Sequence, residues 1–232
     1  MHVSQLYRRI FQIRVFYYKM TKIDRRGLML ILSSPSGAGK TTIAKRLLKE
    51  DEHLVTSISC TTREKRHNEV DGKDYQFISI SEFNRMIKDG EFLEYAEVFG
   101  HYYGTPKRVV EGYLKQGIDV IFDIDWQGNK ALTSKARDDV VSVFVLPPSM
   151  EELYRRLRMR KSDSEDIMKF RMERAGSEIS HWREYDYTII NHDLKESMEK
   201  ISAILRAERL KKARRLGVPS FVNKLLKEKV GF

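Results

Sequence analysis

The chain has 232 residues, 41% of them hydrophobic and 33% charged, with a net charge of +10, which is enough apolar material for one globular core and too little length to demand two. Cys60 is the single cysteine, which excludes an intrachain disulfide and a cysteine-rich metal site and fits a reducing, cytoplasmic setting, while no apolar run nears the ~20 residues of a membrane span and Arg8, Arg9 and Arg14 interrupt any signal-peptide core. Residues 1–26 carry +6 and residues 195–232 carry +7, leaving −3 between them, so a basic catalytic surface for nucleic acid is not indicated and the C-terminal charge reads as a solvated helix face.

In chain order, residues 1–22 alternate Phe11, Ile13, Val15 and Tyr17 with polar neighbours and end near a second methionine, Met20. They read as an extension placed before the domain, an over-extended start or a disordered arm, with a targeting or interaction role as the alternative. Residues 28–33 form a short continuous apolar run followed by a turn-rich stretch and a helical pattern of Ile43, Ala44, Leu47 and Leu48, which predicts strand, loop and helix. Short strand-like pieces around 56–61 and 75–80 and a helix near 81–89 have a different character and read as an insertion over the sheet edge. Apolar runs at 118–124, 140–146 and 187–190 then alternate with helical segments at about 129–137, 149–160, 164–180 and 193–216. Strands alternating with helices predict an α/β fold whose parallel sheet is covered on both faces.

The loop after the first strand reads Ser34-Pro35-Ser36-Gly37-Ala38-Gly39-Lys40-Thr41 and opens a helix. This is the context of a phosphate-binding P-loop. Successive backbone N–H groups wrap an anion only where side chains are small, and the helix N-terminus adds favourable partial charge. Lys40 then reaches the β- and γ-phosphates of a nucleotide and Thr41 coordinates Mg²⁺, with Thr42 beside it. The general pattern starts with Gly where this chain has Ser34. By itself the loop suits NTPases, GTPases and small-molecule kinases alike.

The insertion separates these. Ser59-Cys60-Thr61-Thr62-Arg63, then Arg66, Glu69, Gly72 and Tyr75, Glu94-Tyr95-Ala96, Tyr102-Tyr103-Gly104-Thr105, and Asp123-Ile124-Asp125-Trp126-Gln127-Gly128 follow one another in this order. In order and spacing they closely resemble the guanylate kinase signature, from about residue 27 to 215. The resemblance implies a P-loop three-layer fold over residues 23–216, with a GMP-binding insertion at about 58–109 and a helical lid at about 151–180, followed by a basic tail at 217–232. It implies transfer of the ATP γ-phosphoryl group to GMP, with ATP and GMP as the partners and Mg²⁺ as the cofactor; dGMP as an acceptor and the oligomeric state stay open.

Through that resemblance Arg63, Arg66, Tyr75 and Tyr103 grip the GMP phosphate, a role that forked guanidinium donors and phenolic hydroxyls suit. Glu94 accepts from guanine N1–H and the exocyclic amine, with Ser59 and Thr105 near O6, and Glu69 orients the arginines. The family more often carries Ser at the position of Thr105. Asp123 closes a strand where an acid reaches the Mg²⁺ environment, and Asp125 lies near GMP. Arg156, Arg160 and Arg171 match the lid arginines in register, although Met159 and Lys161 stand where the family usually has Gly. Asn191 belongs to a segment near the adenine, and His192 beside it reads as a surface histidine. The rivals are a guanylate-kinase-like protein-binding module that has lost catalysis, which the intact loop argues against, a kinase of another monophosphate, which Glu94 argues against, and an accessory RNA-binding role of the basic ends.

Overall fold

The computed structural model describes residues 24–98, 100–159 and 165–228. The segment 1–22 lies outside the described residues, which begin at Asp24. Five parallel strands form the main sheet in the order β2 (Leu54–Thr56), β7 (Asp119–Asp123), β1 (Met29–Ser33), β8 (Val140–Leu146) and β9 (Tyr187–Ile190). β1 occupies the centre and every one of its residues is buried, which is why its sequence is a continuous apolar run and not an alternating one.

Two hydrophobic cores flank this sheet. On one face Leu28, Leu30 and Leu32 pack with Ile43 and Leu47 of α1 (Lys40–Glu50) and with Met198, Ile201 and Leu205 of α7 (Leu194–Leu210). On the other, Met29 and Ile31 pack with Val110 and Leu114 of α3 (Lys107–Lys115) and Leu132 of α4 (Trp126–Ala136). The period-two alternation of β1 thus feeds two layers of helices, and the outcome is the three-layer architecture expected from the sequence.

A second, four-stranded sheet forms the insertion, in the order β4 (Gln76–Phe77), β3 (Cys60–Thr61), β6 (His101–Pro106) and β5 (Phe92–Val98). It has its own small core of Cys60, Phe83, Met86 and Phe92, covered by α2 (Ile80–Lys88). The piece expected around 56–61 divides: Leu54–Thr56 completes the edge of the main sheet, and Cys60–Thr61 begins the second. The β5–β6 hairpin and α3 were not foreseen, because their residues are half-exposed on one face and carry no continuous apolar run. Val110 and Leu114 at i and i+4 behind Pro106 were the available sign of α3.

The C-terminal helix is shorter than expected. α7 stops at Leu210, and a 3₁₀ turn at Lys212–Arg214 leads to α8 (Val218–Leu225). Pro219 is tolerated there because the first turn of a helix needs no N–H at that position. Part of the expected tail is therefore folded. Gly217 N–H donates to Asp24 O at 3.0 Å and Arg26 N–H to Arg214 O at 2.7 Å, which ties the end of the domain to its beginning.

The base of the sheet is pinned by ions. Asp119 is fully buried and accepts from the Leu28 N–H at 2.9 Å, from both terminal nitrogens of Arg25, and from Arg209 Nε at 2.6 Å. Such a carboxylate is tolerated in the interior only because donors surround it. Among the described residues no helix is long and apolar enough to cross a membrane.

Candidate functional site

The ladder places Leu32 of β1 opposite Asp123 of β7. Because β1 runs directly into the P-loop, the loop and the Asp123 carboxylate meet beyond the C-terminal ends of the strands, the position where open α/β sheets bind ligands. Lys40 Nζ lies 2.5 Å from Asp123 Oδ1 and donates to Ile124 O at 3.3 Å, while Thr41 Oγ1 donates to Asp123 Oδ2 at 3.2 Å. Ser34, Pro35, Ser36, Gly37, Gly39, Lys40 and Thr41 line a cavity of about 260 Å³ together with Asp123, Asp125 and Glu178. Thr42, on the next position of α1, faces an adjoining cavity of about 460 Å³ with Arg155, Arg156 and His192.

Two loop glycines are required by geometry. Gly39 sits at φ 103° as the N-cap of α1, and a Cβ there would lie 2.4 Å from Asn191 Nδ2. Gly37, at φ 96°, would drive a Cβ to 3.0 Å from the Leu157 side chain. The close approach exists because Ala38 packs in one cluster with Leu153 and Leu157 of α5 (Met150–Arg158) and Ala175 of α6 (Glu165–Ser180). The helices expected as a lid therefore rest directly on the loop.

Several residues take positions that the sequence did not disclose. Asn191, a residue expected at ATP, lines the cavity of about 460 Å³ beside the loop; it is 5% exposed, with Nδ2 donating to Ala38 O at 2.7 Å and Oδ1 accepting from Ser197 at 2.9 Å. Arg156 donates to Glu152 at 2.7 Å, to Asn191 O at 3.1 Å and to Ala38 O at 3.4 Å, so its guanidinium braces the back of the loop. Arg171 reaches Ser36 Oγ at 3.3 Å from α6. Arg160 lies outside the described residues. Asp125, expected near the acceptor, is the N-cap of α4, with Oδ1 accepting from Gly128 N–H at 2.9 Å. Glu178 faces the phosphate cavity unforeseen; it lies seven residues from Arg171 on the same helix, a spacing that shares a face.

The insertion brings its expected residues together in two groups. In the first, Arg63 Nη2 binds Glu69 Oε1 at 2.7 Å, and Glu69 Oε2 accepts the Arg66 N–H at 2.8 Å, while the Arg66 side chain is exposed. The arginine pairing holds the Glu69 carboxyl below its usual range. The Arg63 guanidinium lies 5.7 Å from the Tyr75 ring, and Tyr75 meets Tyr103 edge-on at 5.8 Å. Two phenols and a guanidinium thus converge at one end of the small sheet, a donor set suited to an oxyanion.

In the second group Thr105 Oγ1 donates to Glu94 Oε1 at 2.6 Å and lies 3.3 Å from Ser59 Oγ. Burial raises the Glu94 carboxyl above its ordinary value; the Thr105 bond and the Lys135 charge oppose this, and Asp125 adds to it. An ionised carboxylate flanked by two hydroxyls can accept from paired N–H donors on the edge of a base.

The oxygens of Thr41 and Asp123 are hard ligands of the kind Mg²⁺ takes alongside water and phosphate oxygens, so this pair fits that ion. Among the described residues no group of three or more His, Cys, Asp or Glu side chains could hold a metal by itself.

The guanylate kinase family model matches residues 26–208. The chain is 55% identical over 203 residues to the guanylate kinase of Paramagnetospirillum magneticum, covering 88% of this chain and 95% of that one. It is 55% identical over 204 residues to that of Maricaulis maris, covering 88% and 94%. A crystal structure of guanylate kinase from Anaplasma phagocytophilum superposes with a TM-score of 0.68 at 40% identity, covering 90% of this chain and all of that one. With the P-loop, the strand-end aspartate and the inserted sheet in these positions, the chain belongs to the guanylate kinase family.

Proposed function

We propose that the chain transfers the γ-phosphoryl group of ATP directly to GMP, giving ADP and GDP, within a reducing cytosol. The observation that carries this reading is the juxtaposition of a P-loop cavity with a separate, carboxylate-based base site, at Glu94, Thr105 and Ser59, on one molecule. Phosphoryl transfer asks little covalent chemistry of a protein, so rate comes from alignment and charge balance. Lys40 balances charge on the donor phosphates, and the loop N–H groups hold their oxygens. Arg63, with Tyr75 and Tyr103, holds the acceptor phosphate, and Arg171 adds positive charge from α6. Thr41 and Asp123 would hold Mg²⁺, which when bound neutralises donor phosphate charge.

Glu94 chooses the base. Guanine presents two donors, N1–H and the amine, to the carboxylate, whereas adenine presents an N1 acceptor on the same edge. The inactive-module reading finds no support, since Lys40, Thr41 and Asp123 stand together at the loop.

The test is steady-state coupled assay of ADP release with GMP, dGMP, AMP, UMP and IMP for the native chain and for Glu94→Gln. The substitution turns one acceptor into a donor against a guanine donor, at a cost of ~1–3 kcal/mol. GMP kcat/KM should fall roughly 5- to 150-fold by the same free-energy arithmetic, and the GMP/AMP ratio should drop. An unchanged ratio would remove Glu94 from base recognition.

A further inference from the structure

Strand β5 is irregular just before Glu94. Phe92 pairs with Pro106 and Glu94 with Thr105, so Leu93 is an extra residue with no opposite number on β6. Bulges of this kind re-aim side chains beside functional sites, and a slip of one residue would send the following side chains to the opposite face. Leu93 and Phe92 diverge accordingly. The Leu93 side chain is buried in the core under the main sheet, while Phe92 is buried in the core of the insertion. Gly104, across the hairpin, leaves room for this, because a Cβ there would stand 2.9 Å from the Phe92 ring.

The Leu93 carbonyl is met from outside the small sheet. Lys135, in the last turn of α4, donates from Nζ to Leu93 O at 2.7 Å, across 42 positions of sequence. A lysine at a helix C-terminus ordinarily satisfies its own helix or water. Here the residue is exposed overall while its ammonium reaches the bulge, one residue from Glu94. The helix that carries it begins at the Asp125 cap, just beyond Asp123 at the phosphate cavity. α4 therefore spans from the donor site to the strand that carries the base-reading carboxylate.

We propose that Lys135 is a positioning residue for guanine selection: from α4 it holds the bulge at Leu93 that sets Glu94 opposite Thr105 and Ser59. This deepens, and rests on, the reading of Glu94 as the residue that reads the base. The groups facing Glu94 are Lys135 from the last turn of α4, Asp125 from its N-cap, Thr105 from β6 and Ser59 ahead of β3. Of these Lys135 is the one cation, so its ammonium also favours the ionised, accepting form of the carboxylate.

The test uses the full chain with Lys135→Met, which keeps the stem and removes the charge, and Lys135→Arg, which keeps a charged donor. Two readouts separate positioning from general support: KM for GMP against kcat and KM for ATP, and the titration of the Glu94 carboxyl in the ligand-free protein, followed by ¹³C NMR and assigned with Glu94→Gln. Lys135→Met should raise KM for GMP about twofold to fivefold, the range for a partly exposed charged contact. It should leave kcat and KM for ATP unchanged and move the Glu94 titration to higher pH; Lys135→Arg should restore both. An unmoved titration and an unchanged GMP KM would overturn the proposal, and so would equal changes in both KM values, which mark a merely structural role. If the titration moves while Glu94→Gln leaves base preference intact, the reading of Glu94 fails and the selection role with it. If Glu94→Gln loses GMP while Lys135→Met does not, Lys135 alone is overturned.

Discussion

Thr105 donates its hydroxyl proton to Glu94 Oε1 at 2.6 Å, and the two residues stand directly opposite each other on β6 and β5. The bond does two things at once: it supplies a buried carboxylate with a donor, and it fixes which oxygen is left for a ligand. Thr105→Val keeps the shape and removes the donor. Leaving the buried acid short of that bond should cost ~1–2 kcal/mol, or about five- to thirtyfold in kcat/KM for GMP. Thr105→Ser, which keeps the hydroxyl, should stay near the native value. Steady-state kinetics of both variants checks this, and equal losses in the two would show that the methyl group, and not the hydroxyl, matters.

The acid limb of the pH profile should report Glu94. Burial lifts its carboxyl above the ordinary value of 4.5, and only the ionised form accepts from guanine. kcat/KM for GMP should therefore begin to fall, as pH is lowered, above the range where an exposed glutamate titrates. Stability has the opposite sign. A raised folded pKa means the native state binds the proton more tightly than the unfolded chain, so this contribution is present below the unfolded value and is lost as pH rises through the folded one. Glu94→Gln should accordingly gain on the native chain in thermal midpoint between acid and neutral pH. A midpoint difference independent of pH would contradict the assignment.

Lys40→Ala should nearly abolish phosphoryl transfer and leave the fold standing. Its ammonium meets Asp123 Oδ1 at 2.5 Å at a partly exposed site, where an ion pair contributes only about 0–1 kcal/mol to stability. Loss of one charge-stabilising group at the transferring phosphate costs on the order of 10²–10³ in kcat. Retention of more than about a tenth of kcat, with unfolding monitored in parallel by circular dichroism, would sink the role.

Asp119 sits far from the chemistry yet should be among the least tolerant positions. Asp119→Ala takes the carboxylate from the Arg25 guanidinium and the Leu28 N–H and leaves Arg209 with Asp51 alone, around a void. Breaking a buried pair by removing one partner costs ~3–5 kcal/mol. The unfolding free energy extrapolated from urea denaturation should fall by that amount, with KM for both nucleotides unchanged in whatever fraction remains folded.

The P-loop was legible because its chemistry is local. Small residues, a lysine and a hydroxyl must follow a strand within eight positions, and no distant partner can alter that requirement. β1, β7 and β8 were legible for a related reason, since a strand buried on both faces needs apolar residues at consecutive positions. The split of 54–61 between two sheets was not, because three residues of edge strand and two of inner strand have no periodicity to count. The extent of the C-terminal helix was overrun at Leu210, where a charged, helix-favouring sequence continues but the chain turns to meet Asp24 and Arg26.

Within the site, residue type disclosed capacity, and the tertiary structure decided use. Arg63, Glu69, Glu94 and Thr105 are singled out by the family resemblance, and their side chains carry the donors and acceptors those roles need. Asn191 could bind a nucleotide by the same criterion, yet burial against Ala38 and Ser197 turns its amide into a brace for the loop. No motif in the sequence marks Lys135, and only the fold brings its ammonium to the Leu93 carbonyl. The amino-acid sequence by itself determined the fold class, the phosphate loop and the chemistry available to a base. Which carboxylate is desolvated, which arginine is already engaged and which lysine meets a bulge depend on distances between elements far apart in the chain, and those are set by the packing of two cores against one sheet.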